Sequence, residues 1–140
     1  ALDIAQVSDF VKELDGQLDA HVEQGGANFS GGQRQRLAIA RALVKQASIY
    51  VFDDSFSALD FKTDAKLRAA LKADQKIQKR IVVIVGQRVS TIADADLILV
   101  LDKGKVVGQG THQELLATNK VYQSIVNSQI RESKEGDQNA

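Results

Sequence analysis

Two short apolar segments separated by a helical stretch constrain the fold of this chain more than any other feature. The segments are SIYVFDD (48–54) and RIVVIVG (80–86), and each has the length and composition of a strand buried on both faces. Between them, Lys62 to Lys76 carries apolar residues at helical spacing. Strands that alternate with helices predict an α/β fold with a mainly parallel sheet.

The rest of the chain adds three helices and a hairpin to this pattern. The further helices are predicted at residues 2–14, 30–45 and 111–130, and a Gly-rich loop covers 15–28. The segment 97–110 predicts a β-hairpin that turns at Asp102–Gly104. Two parallel strands alone would be poorly buried, so the chain is expected to be part of a larger α/β domain whose opening strands are missing.

Composition excludes several classes of function. The 140 residues carry a formal net charge of zero, which argues against a dedicated nucleic-acid-binding protein. Cysteine is absent, so neither a disulfide framework nor a thiolate metal site is expected. The longest apolar runs are of strand length, far below the roughly 18 residues of a membrane span. The first ten residues lack the layout of a signal peptide.

The helix that starts after Ser30 has an unusual first turn. Ser30 and Gln33 form a predicted capping box, yet Gly31 and Gly32 lie between them. Each glycine costs up to about 1 kcal/mol relative to alanine in a helix interior. A helix start with unpaired N–H groups and no Cβ atoms suits a phosphate. A well-capped helix with a flexible entry is the alternative interpretation.

Taken together and in order, the motifs of the chain resemble those of ABC-type ATPases. FSGGQRQR (29–36) resembles the signature motif, IYVFDD (49–54) the Walker B strand, SALD (57–60) the D-loop and IVGQRVST (84–91) the switch-histidine loop. LILVLDKGKVVGQGTHQELL (97–116) resembles the end of exporter-type nucleotide-binding domains. Four motifs in one order make the resemblance specific, whereas SGGQ alone would be weak.

The resemblance implies the C-terminal portion of a nucleotide-binding domain. No GxxxxGK[ST] phosphate loop and no recognisable Q-loop occur in the 140 residues, and both precede the signature in the family. The expected architecture is the C-terminal part of a P-loop NTPase (ABC ATPase) domain. Its predicted parts are a helical subdomain with the signature at 1–47, a partial RecA-like core at 48–127 and a polar tail at 128–140.

In this family two nucleotide-binding domains enclose two ATP molecules, head to tail. The resemblance implies that four signature residues contact the γ-phosphate of ATP held by the partner domain: Ser30, Gly31, Gly32 and Gln33. Asp60 in the D-loop would belong to the same nucleotide site, contact the opposite domain and couple the two sites.

The two adjacent acids after the first strand would lie at this chain's own site. Asp53 corresponds to the Walker B carboxylate, an oxygen ligand near Mg²⁺ that often acts through water; capping of the next turn is the alternative. Asp54 stands where the family usually has the Glu that polarises attacking water. Gln87 stands where it usually has the His that contacts the γ-phosphate. Asp is one methylene shorter than Glu, and Gln cannot carry a proton.

These two departures beside an intact signature resemble the degenerate subunit of a heterodimeric ABC exporter. In that interpretation Asp54 and Gln87 form an impaired catalytic site, while the signature completes the competent site of the partner. Neutral drift in a homodimer is the alternative.

The function that the resemblance implies is an ATP-binding and ATP-hydrolysing subunit of an ABC exporter, with ATP and Mg²⁺ as cofactors. Its expected partners are a second nucleotide-binding domain and the transmembrane domain of the same transporter, at the cytoplasmic face of the cell membrane, and no nucleic acid. Two other functions are kept open. One is a soluble ABC ATPase of DNA repair or translation. The other is a binding fragment that, lacking a phosphate loop, binds ATP weakly and hydrolyses none.

Overall fold

The structure used here is a computed structural model that describes the backbone of residues 1–137 and side chains up to Arg131. The chain divides into two units, residues 1–86 and a second unit that starts at Gln87.

The first unit contains three helices and two strands in the predicted order. They are α1 (Ser8–Glu13), α2 (Gly31–Val44), β1 (Ile49–Asp53), α3 (Phe61–Ala73) and β2 (Ile81–Val85). Helix α1 is shorter than the predicted 2–14, because Gln6 has a φ of 57° and so interrupts the helical backbone. The loop between α1 and α2 contains two short 3₁₀ turns, at Gln17–Asp19 and Gln24–Gly26.

Strands β1 and β2 pair in parallel, as the sequence predicts, in a register that runs from Ile49 opposite Ile81 to Asp53 opposite Val85. Within the described residues the two strands are not buried on both faces, in line with the expectation that a two-stranded parallel pair alone is poorly buried. In β1 buried and exposed residues alternate, and Val51 is 63% exposed. Alternation is typical of a sheet with one covered face, which is what helices on a single side produce.

The core of the first unit lies between the helices and the covered face of the sheet. It is built from apolar residues of α1, α2, β1, α3 and their connections, among them Val11, Ile39, Leu43, Tyr50, Phe52, Phe56, Leu59, Leu67 and Leu71. Leu67 is 0% exposed. Next to it in α3, the buried Asp64 accepts a hydrogen bond of 3.0 Å from Nε of Arg68, one turn later, so its charge is compensated.

The second unit contains a hairpin and three helices. Its elements are α4 (Val89–Ile92), β3 (Ile98–Asp102), β4 (Lys105–Gly110), α5 (His112–Thr118) and α6 (Lys120–Asp137). The predicted antiparallel hairpin is confirmed, and Lys103 and Gly104 form its two-residue turn with φ values of 47° and 75°. Two consecutive positive φ values are the geometry of a type I′ turn, whose twist matches that of the flanking strands.

Tyr122 of α6 is the largest fully buried side chain of the second unit. It packs with Ile98, Val100 and Leu115, and its hydroxyl lies 2.7 Å from Nδ1 of His112. The predicted capping box of Thr111 and Glu114, which begins α5, is confirmed. Helix α6 continues to Asp137, so the segment that the sequence predicts to be a polar tail is largely helical as well as polar.

Replacement of Leu67 by alanine should destabilise the first unit by about 2 to 5 kcal/mol, because it leaves a cavity in a fully packed core. The free energy of unfolding is measured by urea titration followed by circular dichroism. The matched control is Leu18→Ala, which removes the same atoms from a side chain that is 79% exposed. Equal destabilisation by the two variants would contradict the assigned core.

Candidate functional site

The two adjacent carboxylates lie where β1 ends. Asp53 is the last residue of the strand, and Asp54 follows with a φ of 49°. The Asp54 N–H donates a hydrogen bond of 3.0 Å to the carbonyl of Val85, the last residue of β2. Asp is one of the few non-glycine residues that tolerate left-handed backbone well. The chain therefore turns sharply at Asp54, at the carboxyl end of the parallel pair.

The surroundings of Asp53 suit a magnesium ion held mostly by water and phosphate. Its carboxylate is exposed and has no hydrogen bond or ion pair within the described part of the chain. Among residues 1–131 no three metal-ligating side chains lie together. Mg²⁺ rarely needs such a cluster, since one or two carboxylates with waters and substrate phosphates complete its six ligands. Asp53 thus fits Mg²⁺ that arrives with a nucleotide.

The start of α2 presents hydrogen-bond donors. The predicted capping box is confirmed: Gln33 N–H donates to Ser30 Oγ over 3.2 Å, and Ser30 N–H donates to Gln33 Oε1 over 2.8 Å. Four donors have no acceptor among the described residues: the Ser30 hydroxyl, the N–H groups of Gly31 and Gly32 and the Gln33 side-chain amide. Because both side-chain oxygens there already accept hydrogen bonds, this helix start favours an anion.

The two glycines of this helix start differ in what surrounds them. A Cβ on Gly31 would lie 3.7 Å from Cβ of Ala58, which is an ordinary contact. A Cβ on Gly32 would lie 3.2 Å from the backbone oxygen of Ala58, so the loop would have to move. Packing therefore favours glycine at position 32 whether or not a ligand binds, because the absence of a Cβ lets the loop after β1 approach the helix closely.

Gln35 joins α2 to the loop after β1, a contact that the sequence did not predict. Its side-chain Nε2 donates to Ser57 Oγ over 3.1 Å and to the Asp54 carbonyl over 3.4 Å. Its Oε1 accepts from the Ala58 N–H over 3.0 Å. Gln35 follows Gly31 by four residues and thus shares a helix face with it. The contact itself has no local sequence signal, because its partners lie 19 to 23 residues further along the chain.

The structure brings most of the predicted site residues of the first unit together. Residues 30–33 begin the helix that contacts the loop 54–58, and Asp53 precedes that loop. Asp60 follows it as the N-cap of α3, where its carboxylate accepts hydrogen bonds from the hydroxyl (2.7 Å) and the N–H (2.9 Å) of Thr63. These bonds hold the pKa of Asp60 below its ordinary value, so the residue is ionised at neutral pH.

Gln87 belongs to the second unit, where its side chain is exposed. Its backbone carbonyl accepts a hydrogen bond of 2.6 Å from Nε2 of Gln129 in α6. The first residue of α4, Val89, donates its N–H to Oε1 of the same Gln129 over 2.8 Å. The segment around Gln87 is thus attached to the last long helix of the chain, a connection that the sequence did not predict.

Comparison with known proteins places the chain in a family. A family model described as ABC transporter matches residues 3–57. An uncharacterized ABC transporter ATP-binding protein of Mycobacterium tuberculosis is 52% identical over 92% of this chain, which corresponds to 22% of that protein. An ATP-dependent lipid A-core flippase of Haemophilus ducreyi is 42% identical over 94% of the chain and 22% of its own length.

The solved structure of a bacterial Atm1-family ABC exporter with ATP bound superposes with a TM-score of 0.84. It is 39% identical, and the match covers 90% of this chain and 22% of that one. The predicted fold class is therefore confirmed: the chain is part of an α/β P-loop NTPase domain. Within that class, it belongs to the ATP-binding domains of ABC transporters.

The chain spans about a fifth of the length of the curated relatives that it matches, 22% in the two named above. Within residues 1–137, the structure contains no helix long and apolar enough to cross a membrane.

Gln35→Ala should loosen the loop 54–58 and destabilise the first unit by about 3 kcal/mol, at about 1 kcal/mol for each of the three hydrogen bonds lost. The measurement is hydrogen exchange at the Ala58 amide, together with urea unfolding. Arg41→Ala, at an exposed position of the same helix, is the control and should leave both unchanged. Unchanged exchange at Ala58 in the Gln35 variant would show that the contact does not hold the loop.

Alanine substitutions at Gly31 and Gly32 should have different effects on the free energy of unfolding. Gly31→Ala should leave the free energy of unfolding unchanged or slightly higher, because the new Cβ meets only ordinary contacts and alanine favours a helix. Gly32→Ala should lower it, because the new methyl group presses on the Ala58 carbonyl. Thermal unfolding of both variants measures the difference, and the opposite order would refute the described packing of the loop on α2.

Proposed function

We propose that this chain is part of an ATP-hydrolysing subunit of an ABC exporter, which couples ATP to the export of a solute across a membrane. The named relatives, an ATP-dependent lipid A-core flippase and an Atm1-family exporter, support an exporter over a soluble ABC ATPase. The site would lie at the cytoplasmic face, beside a transmembrane domain and a second nucleotide-binding domain.

The observation that carries the proposal is the set of free donors at the start of α2. Ser30, Gly31, Gly32 and Gln33 offer hydrogen bonds of the kind that a terminal phosphate accepts. In ABC ATPases two nucleotide-binding domains enclose ATP head to tail, so by this resemblance the ATP that these donors contact would be bound by the partner domain. Donors fixed on a helix start need no reorganisation when charge develops on the phosphate, which is how such groups lower a barrier.

At this chain's own site, Asp53 would hold the magnesium ion through water, and the ion would neutralise charge on the phosphate oxygens. Asp54 would face the attacking water, and Gln87 would donate a hydrogen bond toward the γ-phosphate. Asp60 would stay ionised as the cap of α3 while the loop 57–60 faces the opposite domain. Asp54 reaches less far than Glu, and a misplacement of about 1 Å can cost about 100-fold in rate.

We infer that this site is the degenerate one of a heterodimer, and that the signature of this chain serves the competent site of the partner. The backbone at position 54 offers a second reason for the aspartate. A φ of 49° is more favourable for Asp than for Glu. Stability and catalysis therefore make opposite demands on this residue, and they can be measured separately.

The proposal predicts slow ATP hydrolysis by the full-length protein purified alone. The double substitution Asp54→Glu and Gln87→His should raise kcat by tenfold or more, since it restores the reach of the acid and a titratable side chain. At the same time, Asp54→Glu should slightly lower the melting temperature, because Glu suits the left-handed backbone less well. Steady-state ATPase assays and thermal unfolding give the two results.

Asp102→Glu is the matched control, because it lengthens an exposed acid at the end of another strand without touching the proposed site. Asp102→Glu should change neither kcat nor the melting temperature. A protein that hydrolyses ATP rapidly when purified alone, with no gain from the double substitution, would exclude the degenerate site. Loss of ATP-dependent transport on substitution of Ser30 or Gly31, with hydrolysis at this chain's own site unaffected, would support the role of the signature across the interface.

A further inference from the structure

The side-chain amide of Gln129 forms hydrogen bonds with the backbone on both sides of Arg88. Its Nε2 donates to the Gln87 carbonyl over 2.6 Å, and its Oε1 accepts from the Val89 N–H over 2.8 Å. The two contacts fix the orientation of the amide, because a carbonyl can only accept and an N–H can only donate. One side chain of α6 therefore satisfies two peptide groups of the segment 87–89, which we call the Gln129 bridge.

The Gln129 bridge supplies a hydrogen-bond acceptor at the start of α4, where the N-cap residue supplies none. The N-cap residue of this short helix, Arg88, makes no side-chain capping hydrogen bond, so the N–H of Val89 needs another acceptor. Gln129 provides it from an element 40 residues away in sequence. Capping by a distant helix means that the start of α4 and the residue before it depend on where α6 lies.

Helix α6 is itself held by the core of the second unit. Tyr122 is buried and Val126 is partly buried against the same cluster, together with Val89 and Ile92 of α4. Gln129 follows Tyr122 by seven residues and Val126 by three, so all three lie on one face of α6. The apolar contacts thus fix the position from which Gln129 reaches the segment 87–89.

We propose that Gln129 is a positioning residue that sets the backbone at Gln87 and, through it, the direction of the Gln87 side chain. The inference rests on the proposed function, in which Gln87 contacts the γ-phosphate. It adds that the last long helix controls this residue, so that a displacement of α6 changes the geometry of the nucleotide site. Gln129 need not touch the nucleotide.

Hydrogen exchange of the Val89 amide in the full-length protein tests the bridge without reference to catalysis. Gln129→Ala should speed exchange about fivefold or more, since one hydrogen bond protects this N–H. Gln129→Glu keeps the acceptor for Val89 but cannot donate to the Gln87 carbonyl, so exchange at Val89 should stay closer to the natural rate. Gln123→Ala is the matched control: it removes a hydrogen bond of 2.7 Å from α6 to the Leu116 carbonyl and should leave Val89 unchanged.

ATP hydrolysis is then measured in full-length protein that carries Asp54→Glu, because hydrolysis at this chain's own site is expected to be measurable there. Gln129→Ala and Gln129→Glu should each lower kcat about tenfold with KM little changed, while Gln123→Ala should not. If Gln129 acts through Gln87, then Gln129→Ala should have almost no further effect once Gln87 is replaced by alanine. Additive losses would instead indicate a general structural role and overturn the positioning proposal.

The outcomes separate the two proposals. Unchanged exchange at Val89 in Gln129→Ala would overturn the bridge. Faster exchange combined with no effect of Gln87→Ala on kcat would leave the bridge standing and refute the proposed role of Gln87 in hydrolysis. Faster exchange, a lower kcat and loss of the effect in the Gln87→Ala protein would together support the positioning role.

Discussion

The first unit depends on the close approach of the start of α2 to the loop that follows β1. Gly32 permits the approach, because any Cβ would press on the Ala58 carbonyl, and Gln35 secures it with hydrogen bonds to both ends of the loop. The contact joins the donors at the helix start to the strand end that carries Asp53. A displacement of either element therefore moves the other, which would couple two nucleotides if the signature and the carboxylates serve different ones, as proposed.

In both units a glutamine side chain holds a loop by hydrogen bonds to its backbone. In each, a glutamine side chain on a helix donates a hydrogen bond to a backbone carbonyl and accepts one from a backbone N–H of a segment that carries proposed catalytic residues. Glutamine suits this purpose because its amide matches a peptide group and its charge does not change with pH. Gln35 and Gln129 thus fix loop backbones without adding charge near the proposed nucleotide-binding residues.

The sequence predicted the elements whose signals are local. The capping boxes at Ser30 and Thr111 and the hairpin that turns at Asp102–Gly104 follow from neighbouring residues, and the parallel strand pair follows from the strand–helix–strand order; the structure contains each of them. It did not predict the exposed face of β1, because burial depends on which elements cover a strand. The contacts of Gln35 and Gln129 were missed for the same reason, since each joins segments about 20 to 40 residues apart. The roles of the site residues remain predictions.

The left-handed backbone at Asp54 has a consequence for how this chain evolves. A substitution to Glu changes one methylene group, yet it places a less compatible residue at a φ of 49° next to the sheet. Under the proposed catalytic role of Asp54, selection for folding and selection for turnover would therefore act in opposite directions at this single position. A lineage that no longer needs hydrolysis at its own site gains stability by keeping the shorter acid, so such a loss of activity is easier to acquire than to reverse.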